Sequence, residues 1–182
     1  MKKLVVAVFS VIAINILLFC PFSEAYSLDD IKRDYPTLEI KYIYNSDGTF
    51  GRSLKILGLS SGKNLVDIKD LEFVLCEYPN NNSKNVMVYA SHLGKNKMNI
   101  LKVAIDNGLY NFYPEPKFRK SAPVEDAYFE MVCVYFDNQV DFYKWKNAQI
   151  IQIVGASETV NIYPPSPEYA IKMNIIQKFL FE

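Results

Sequence analysis

The sequence predicts an α+β fold: an antiparallel sheet of about seven to eight strands, a short N-terminal helix and a C-terminal helix packed on the sheet. Three observations predict it. Short runs rich in Val, Ile, Tyr, Phe and Leu recur along the chain, separated by clusters of Asn, Asp, Gly, Ser and Pro. Asp47-Gly48 and Asn107-Gly108 each stand between two such runs, the composition that closes tight hairpins because both central residues must reach positive φ. The clearest helix start signals lie near the two ends, at Ser27 and at Ser166-Pro167. Close strand spacing favours a meander over crossovers through helices.

The segment ahead of the fold reads as an export signal. Met1-Lys2-Lys3 is basic, Leu4 to Phe22 is apolar except for Ser10 and Asn15, and Ser23-Glu24-Ala25 ends on small residues at the two positions a signal peptidase reads. Cleavage after Ala25 is expected, leaving residues 26–182 as one exported domain in the periplasm, at the cell surface or secreted. Two alternatives exist. The apolar run is near the roughly 20 residues that span a bilayer, so it could stay as an anchor. Leu17-Leu18-Phe19-Cys20 resembles a bacterial lipoprotein box, with Phe19 where that motif takes a small residue.

The elements follow in order. Ser27 and the acids Asp29 and Asp30 open a short helix that Pro36 ends. Leu38 to Tyr44 and Thr49 to Leu57 form the first hairpin, and Gly58 to Asn64 is a loop. Leu65 to Leu71 reads as a helical turn or a strand lead-in. Glu72 to Tyr78, Asn85 to Ser91, Met98 to Ile105 and Leu109 to Tyr113 read as strands. Pro114 to Pro123 carries three prolines and three basic residues and reads as an exposed connection. Tyr128 to Phe136 and Gln149 to Gly155 are the most apolar runs, hence expected at the centre of the sheet. A helical turn fits Asn138 to Trp145 between them. In the last helix Ser166 caps, Pro167 takes the first position, and Tyr169, Met173, Ile176 and Leu180 share a face.

Composition excludes several function classes. Half of the 182 residues are hydrophobic and 22% are charged, too apolar for a disordered chain. The 20 basic and 20 acidic side chains cancel, which argues against non-specific nucleic-acid binding. With Cys20 removed, Cys76 and Cys133 are the remaining thiols, both in strand-like segments and in an oxidising compartment, so a Cys76–Cys133 disulfide is expected; it would stabilise by about 4 kcal/mol.

Motifs for chemistry are weak. Gly58-Leu59-Ser60-Ser61-Gly62-Lys63-Asn64 has one residue too few between its glycines for a phosphate loop and lacks the hydroxyl after its lysine. Asn45-Ser46-Asp47-Gly48, aligned on a calcium loop, puts Ile43 and Leu54 where oxygen ligands are needed. His92 is the single histidine, so neither a His-rich zinc site nor an assigned Ser91, Ser60 or Ser61 nucleophile is supported. Glu125, Asp126, Glu130, Asp137 and Asp141 are candidates for a carboxylate pair of the glycosidase kind. No metal and no cofactor is expected.

The unusual property is aromatic content, 13 Tyr, 12 Phe and one Trp, clustered at Tyr110-Asn111-Phe112-Tyr113 and Phe142-Tyr143-Lys144-Trp145. Aromatic residues fill β cores, yet exposed rings also bind sugar faces and protein partners. The leading expectation is an exported, non-catalytic binding module that contacts a protein or glycan through Tyr110, Tyr113, Tyr143 and Trp145. The alternatives are a carboxylate-based glycan hydrolase and a structural or assembly subunit of a surface complex.

Overall fold

The computed structural model describes residues 26–44, 48–61, 68–164 and 167–182. The export segment Met1–Ala25, the Asn45–Asp47 part of the first turn, Gly62-Lys63-Asn64 of the phosphate-loop lookalike and the Ser166 cap lie outside the described residues. Among the described residues there are three α-helices and ten strands. In chain order they are α1 (Leu28–Asp34), β1 (Ile40–Tyr44), β2 (Phe50–Ser61), β3 (Ile68–Tyr78), β4 (Ser83–Gly94), β5 (Ile100–Ile105), β6 (Tyr110–Phe112), β7 (Arg119–Val124), β8 (Ala127–Phe136), α2 (Gln139–Lys146), β9 (Ile151–Gly155), β10 (Thr159–Ile162) and α3 (Glu168–Phe181).

The α+β class holds, but the single sheet does not. The strands form two antiparallel sheets, a six-stranded one ordered β1-β2-β3-β4-β8-β7 and a four-stranded one ordered β10-β9-β5-β6. The extra strands are those whose composition hides them. β7 is exposed at every position and contains Pro123, which an edge strand tolerates because its outward N–H is not needed for a ladder. β10 is four residues long and only Ile162 is buried. Gly58 to Ser61, expected as a loop, continues β2, and Ile68 to Leu71 opens β3. The two most apolar runs are both interior strands, but in different sheets.

Local chemistry fixes the helix ends. Ser27 Oγ accepts from the Asp30 amide while the Asp30 carboxylate accepts from the Ser27 amide, a reciprocal box at the start of α1. Asn138 caps α2 in the same sense, accepting from the Asp141 amide at 2.9 Å. Pro167, expected at the first helical position, is instead the N-cap, so α3 begins at Glu168; it buries Tyr169, Met173, Ile175, Ile176 and Phe179.

One core lies between the inner face of the six-stranded sheet, the four-stranded sheet and the three helices. Strand parity sets that face: Leu71, Phe73 and Leu75 on β3 lie opposite Ala90, Val88 and Val86 on β4, all fully buried. A bulge between Lys55 and Leu57 inserts Ile56 into β2 and bends it. At the centre Trp145 stacks on Phe136 at 5.9 Å and meets Phe73 edge-on at 5.4 Å.

Candidate functional site

The four aromatic residues singled out by sequence do not form one surface. Trp145 is 0% exposed, a correction with a plain cause: α2 turns that side of its helix into the core, against Phe73, Phe112 and Phe136. Tyr113 is exposed and has Lys102 Nζ at 5.9 Å from its ring centre. Tyr110 and Tyr143 do come together, lining a depression of about 460 Å³ with Leu109, Val140 and Lys144. Lys144 lies 5.3 Å from the Tyr110 ring centre, so one face of that ring is already covered.

The larger site is on the other side of the molecule. The core-averted face of the six-stranded sheet carries Val74 and Cys76 from β3, Met87 and Tyr89 from β4, and Met131 and Cys133 from β8. Among the described residues no α-helix and no second sheet packs on it; the Pro116–Phe118 turn leans over its β8 side, where Phe118 meets Tyr135 edge-on at 6.4 Å. The face is hollow. A groove of about 630 Å³ opens over β1, β2 and β3, with Lys41, Ile43, Lys55, Val74 and Cys76 in its walls. A second of about 360 Å³ opens towards β7 and is walled by Phe118, Lys120 and Met131. Both include Glu72, Val74 and Tyr89, so the two run together across the sheet.

The electrostatics of this trough are uneven. Lys55 pairs with Glu72 across β2 and β3, and Lys117 with Glu115 at 2.9 Å on the β7 rim. Hydrogen bonds from Lys117 and Tyr135 hold the Glu115 carboxyl below its ordinary value. Lys120 has no carboxylate partner among the described residues. Apart from the Lys55–Glu72 pair the groups beneath the trough are neutral: burial pushes both thiols up to about 12 and the Tyr89 phenol well above its ordinary range. The Tyr89 hydroxyl lies 3.1 Å from the Met87 sulfur.

Cys76 and Cys133 are unbonded, which corrects the expected disulfide. The topology explains it: β4 lies between β3 and β8, so the two cysteines are two strand spacings, about 9.6 Å, apart before any offset along the strands. Cys133 pairs with Tyr89, which pairs with Glu72, four residues from Cys76. A disulfide needs Cα atoms within about 7 Å.

Of the remaining candidates, Glu130, His92 and Asp141 are engaged with neighbouring groups. Glu130, 7% exposed, accepts from the amides of Met98 at 2.6 Å and Asn99 at 3.0 Å, fixing the turn before β5, where Asn99 takes a φ of 52°. His92 Nδ1 is 3.6 Å from the same carboxylate on the core side of β4. Asp141 pairs with Lys144 and lies in the first turn of α2. Glu125 sits in the β7–β8 turn at a φ of 52°. Asp126 lies in the same turn as Glu125, and Asp137 lies between β8 and α2; Glu130 and Asp141 are each engaged with groups near their own element.

Sequence reading passed over the trough because its residues look like core. The available signal was that β8 is apolar at both parities and that β3 and β4 carry Val74, Cys76, Met87 and Tyr89 at their outward parity, whereas only one face of their sheet is packed on the core. Comparison of the chain with protein-family models, with curated proteins and with solved structures finds no match.

Proposed function

We propose that the chain is an exported, non-catalytic binding module whose ligand lies in the open trough of the six-stranded sheet. Export rests on the Met1–Ala25 pattern. One observation carries the binding reading: a sheet apolar on both faces has only one face covered, and the bare one is hollowed into grooves of about 630 and 360 Å³. Those volumes suit small or elongated ligands, and contiguous exposed apolar surface marks binding sites on exported domains as elsewhere. Glu130 and Asp141, two of the carboxylates a hydrolase would use, are engaged by the Met98 and Asn99 amides and by Lys144, which favours binding over hydrolysis.

Nile red, a neutral apolar dye, tests this. It is expected to bind the native chain saturably, with a blue-shifted emission that is lost in the Met87→Lys/Met131→Lys variant and kept in the Leu109→Ser/Tyr143→Ser variant. Absence of saturable binding, or binding lost in the second variant instead of the first, contradicts the reading.

A second reading keeps the depression beside α2. Leu109 and Val140 are each 67% exposed and Tyr143 is 49% exposed around it, an apolar patch fitted to a protein partner. The Lys144 ammonium over Tyr110 weighs against sugar stacking there.

A further inference from the structure

We propose that the occupant of the trough is a free long-chain fatty acid, its carboxylate at the β7 end beside Lys120 and its acyl chain running over β8, β4 and β3 towards β1. This names the ligand class of the site proposed above and rests on that reading. Three features of the trough point to it.

The first is shape. The two grooves share Glu72, Val74 and Tyr89, so they form one channel across a sheet of six strands, roughly 24 Å from edge to edge at the ordinary strand spacing. A channel that crosses several strands suits a flexible chain better than a compact ring system. The second is the floor. Met131 in the groove wall and Met87, half-buried on the same sheet face, are unbranched and polarisable and adapt to a chain without a fixed shape, while the buried Cys76 and Cys133 add no charge beneath them.

The third feature is the charge, which gives the channel a direction. Lys55 is matched by Glu72 and Lys117 by Glu115. Lys41, at the far end, and Glu39, just ahead of β1, both line that groove. Lys120, next to Phe118 and Met131, is in no ion pair among the described residues; Lys41 is in none either, but it has the Glu39 carboxylate in its own groove, while the Glu72 carboxylate in the Lys120 groove is taken by Lys55. One anionic head with an apolar tail supplies the missing charge and fills the floor together.

The competing occupants fit less well. A flat bilayer cannot reach the floor of a hollow, and one uncompensated lysine is far from the 4–8 clustered basic residues, roughly, that hold proteins to anionic lipid surfaces. Two copies placed face to face meet at their rims and leave both floors unfilled.

The test uses the purified full chain and displacement of the fluorescent fatty acid cis-parinarate by palmitate, below its micelle concentration. Hexadecanol, hexadecyltrimethylammonium and phosphatidylglycerol vesicles are the comparison ligands. Saturable one-to-one binding of palmitate is expected, tighter than that of hexadecanol. Lys120→Glu is expected to weaken palmitate by about tenfold and to favour the cationic amphiphile, and Met131→Lys to remove binding of both. Circular dichroism checks that both variants keep the wild-type fold, as the partial or full exposure of these positions leads one to expect.

Equal affinity for palmitate and hexadecanol, no effect of Lys120→Glu, binding to vesicles alone, or a dimer that occupies the face would each overturn the assignment. If Nile red binds in a Met131-dependent way while palmitate does not, the ligand class is wrong and the binding face stands. If neither binds, both are wrong.

Discussion

Replacing Trp145 separates a core residue from a binding residue. The indole is 0% exposed, lies 4.9 Å from the Phe112 ring centre, and also meets Phe73 and Phe136. Trp145→Ala removes the largest fully buried side chain at a site walled by rigid rings that cannot collapse into the space. The expected cost is therefore at the upper end for such truncations, about 4 to 5 kcal/mol. Against a total stability of about 5–15 kcal/mol for a domain, that is enough to bring the protein close to unfolding at 25 °C. Trp145→Phe should behave differently. It loses part of the buried area, but the Trp145 Nε1–H is buried without an acceptor among the described residues, and removing it relieves a desolvation cost of about 1 to 3 kcal/mol. The two effects oppose, so a net cost of about 1 kcal/mol is expected. Urea unfolding followed by far-UV circular dichroism measures both, as shifts in midpoint at unchanged slope. The wild-type emission adds a check, because this is the single tryptophan: it should be blue-shifted and shielded from iodide. A Trp145→Ala cost below about 1 kcal/mol, or an iodide-quenched wild-type indole, would refute the placement of α2 against the core.

Three further predictions follow from the geometry. The thiols are held protonated to about pH 12 in the native state against an ordinary 9.0, so their contribution is complete below pH 9.0 and is lost as pH rises towards 12. The slope is about 1.4 kcal/mol per pH unit for each thiol, and Cys76→Ala/Cys133→Ala should unfold in urea with that part of the alkaline loss removed. Glu130→Gln keeps the shape but removes the charge that the Met98 and Asn99 amides bind, at an expected cost of about 1 to 3 kcal/mol, read as a lower melting temperature and faster amide exchange at those two residues. Gly155→Ala places a Cβ 2.5 Å from the Met98 carbonyl oxygen, a backbone atom that cannot rotate away; a loss of about 2 kcal/mol in a denaturant midpoint is expected.

How much of this was legible in the sequence depends on whether the signal is local. The Ser27 box, the hairpin at Asn107-Gly108 and the apolar spacing of α3 are set by neighbours within a few residues, and each element stands where the sequence places it. β7 was hidden because its residues meet solvent, and an edge strand is held by its partner β8 more than by its own composition. The disulfide failed for a related reason. Nothing local says that β4 inserts between the strands carrying Cys76 and Cys133, since that follows from sheet order. Trp145 and Tyr143, two residues apart on α2, illustrate the limit for sites: the helix turns one into the core and the other outwards, and only the packing direction decides which. The trough was invisible because Val74, Met87 and Met131 carry the same apolar signal whether covered or bare.

The methionine methyl groups give the most direct test of the central claim, that the uncovered sheet face receives an apolar ligand. Met87 and Met131 line that face, whereas Met98 and Met173 are buried in the core and serve as internal references. In a carbon-13 methyl spectrum of the full chain titrated with palmitate, the signals of Met87 and Met131 should move together and saturate while Met98 and Met173 stay in place. Shifts at all four methyls alike, or none at Met87 and Met131 when the ligand is bound, would contradict it.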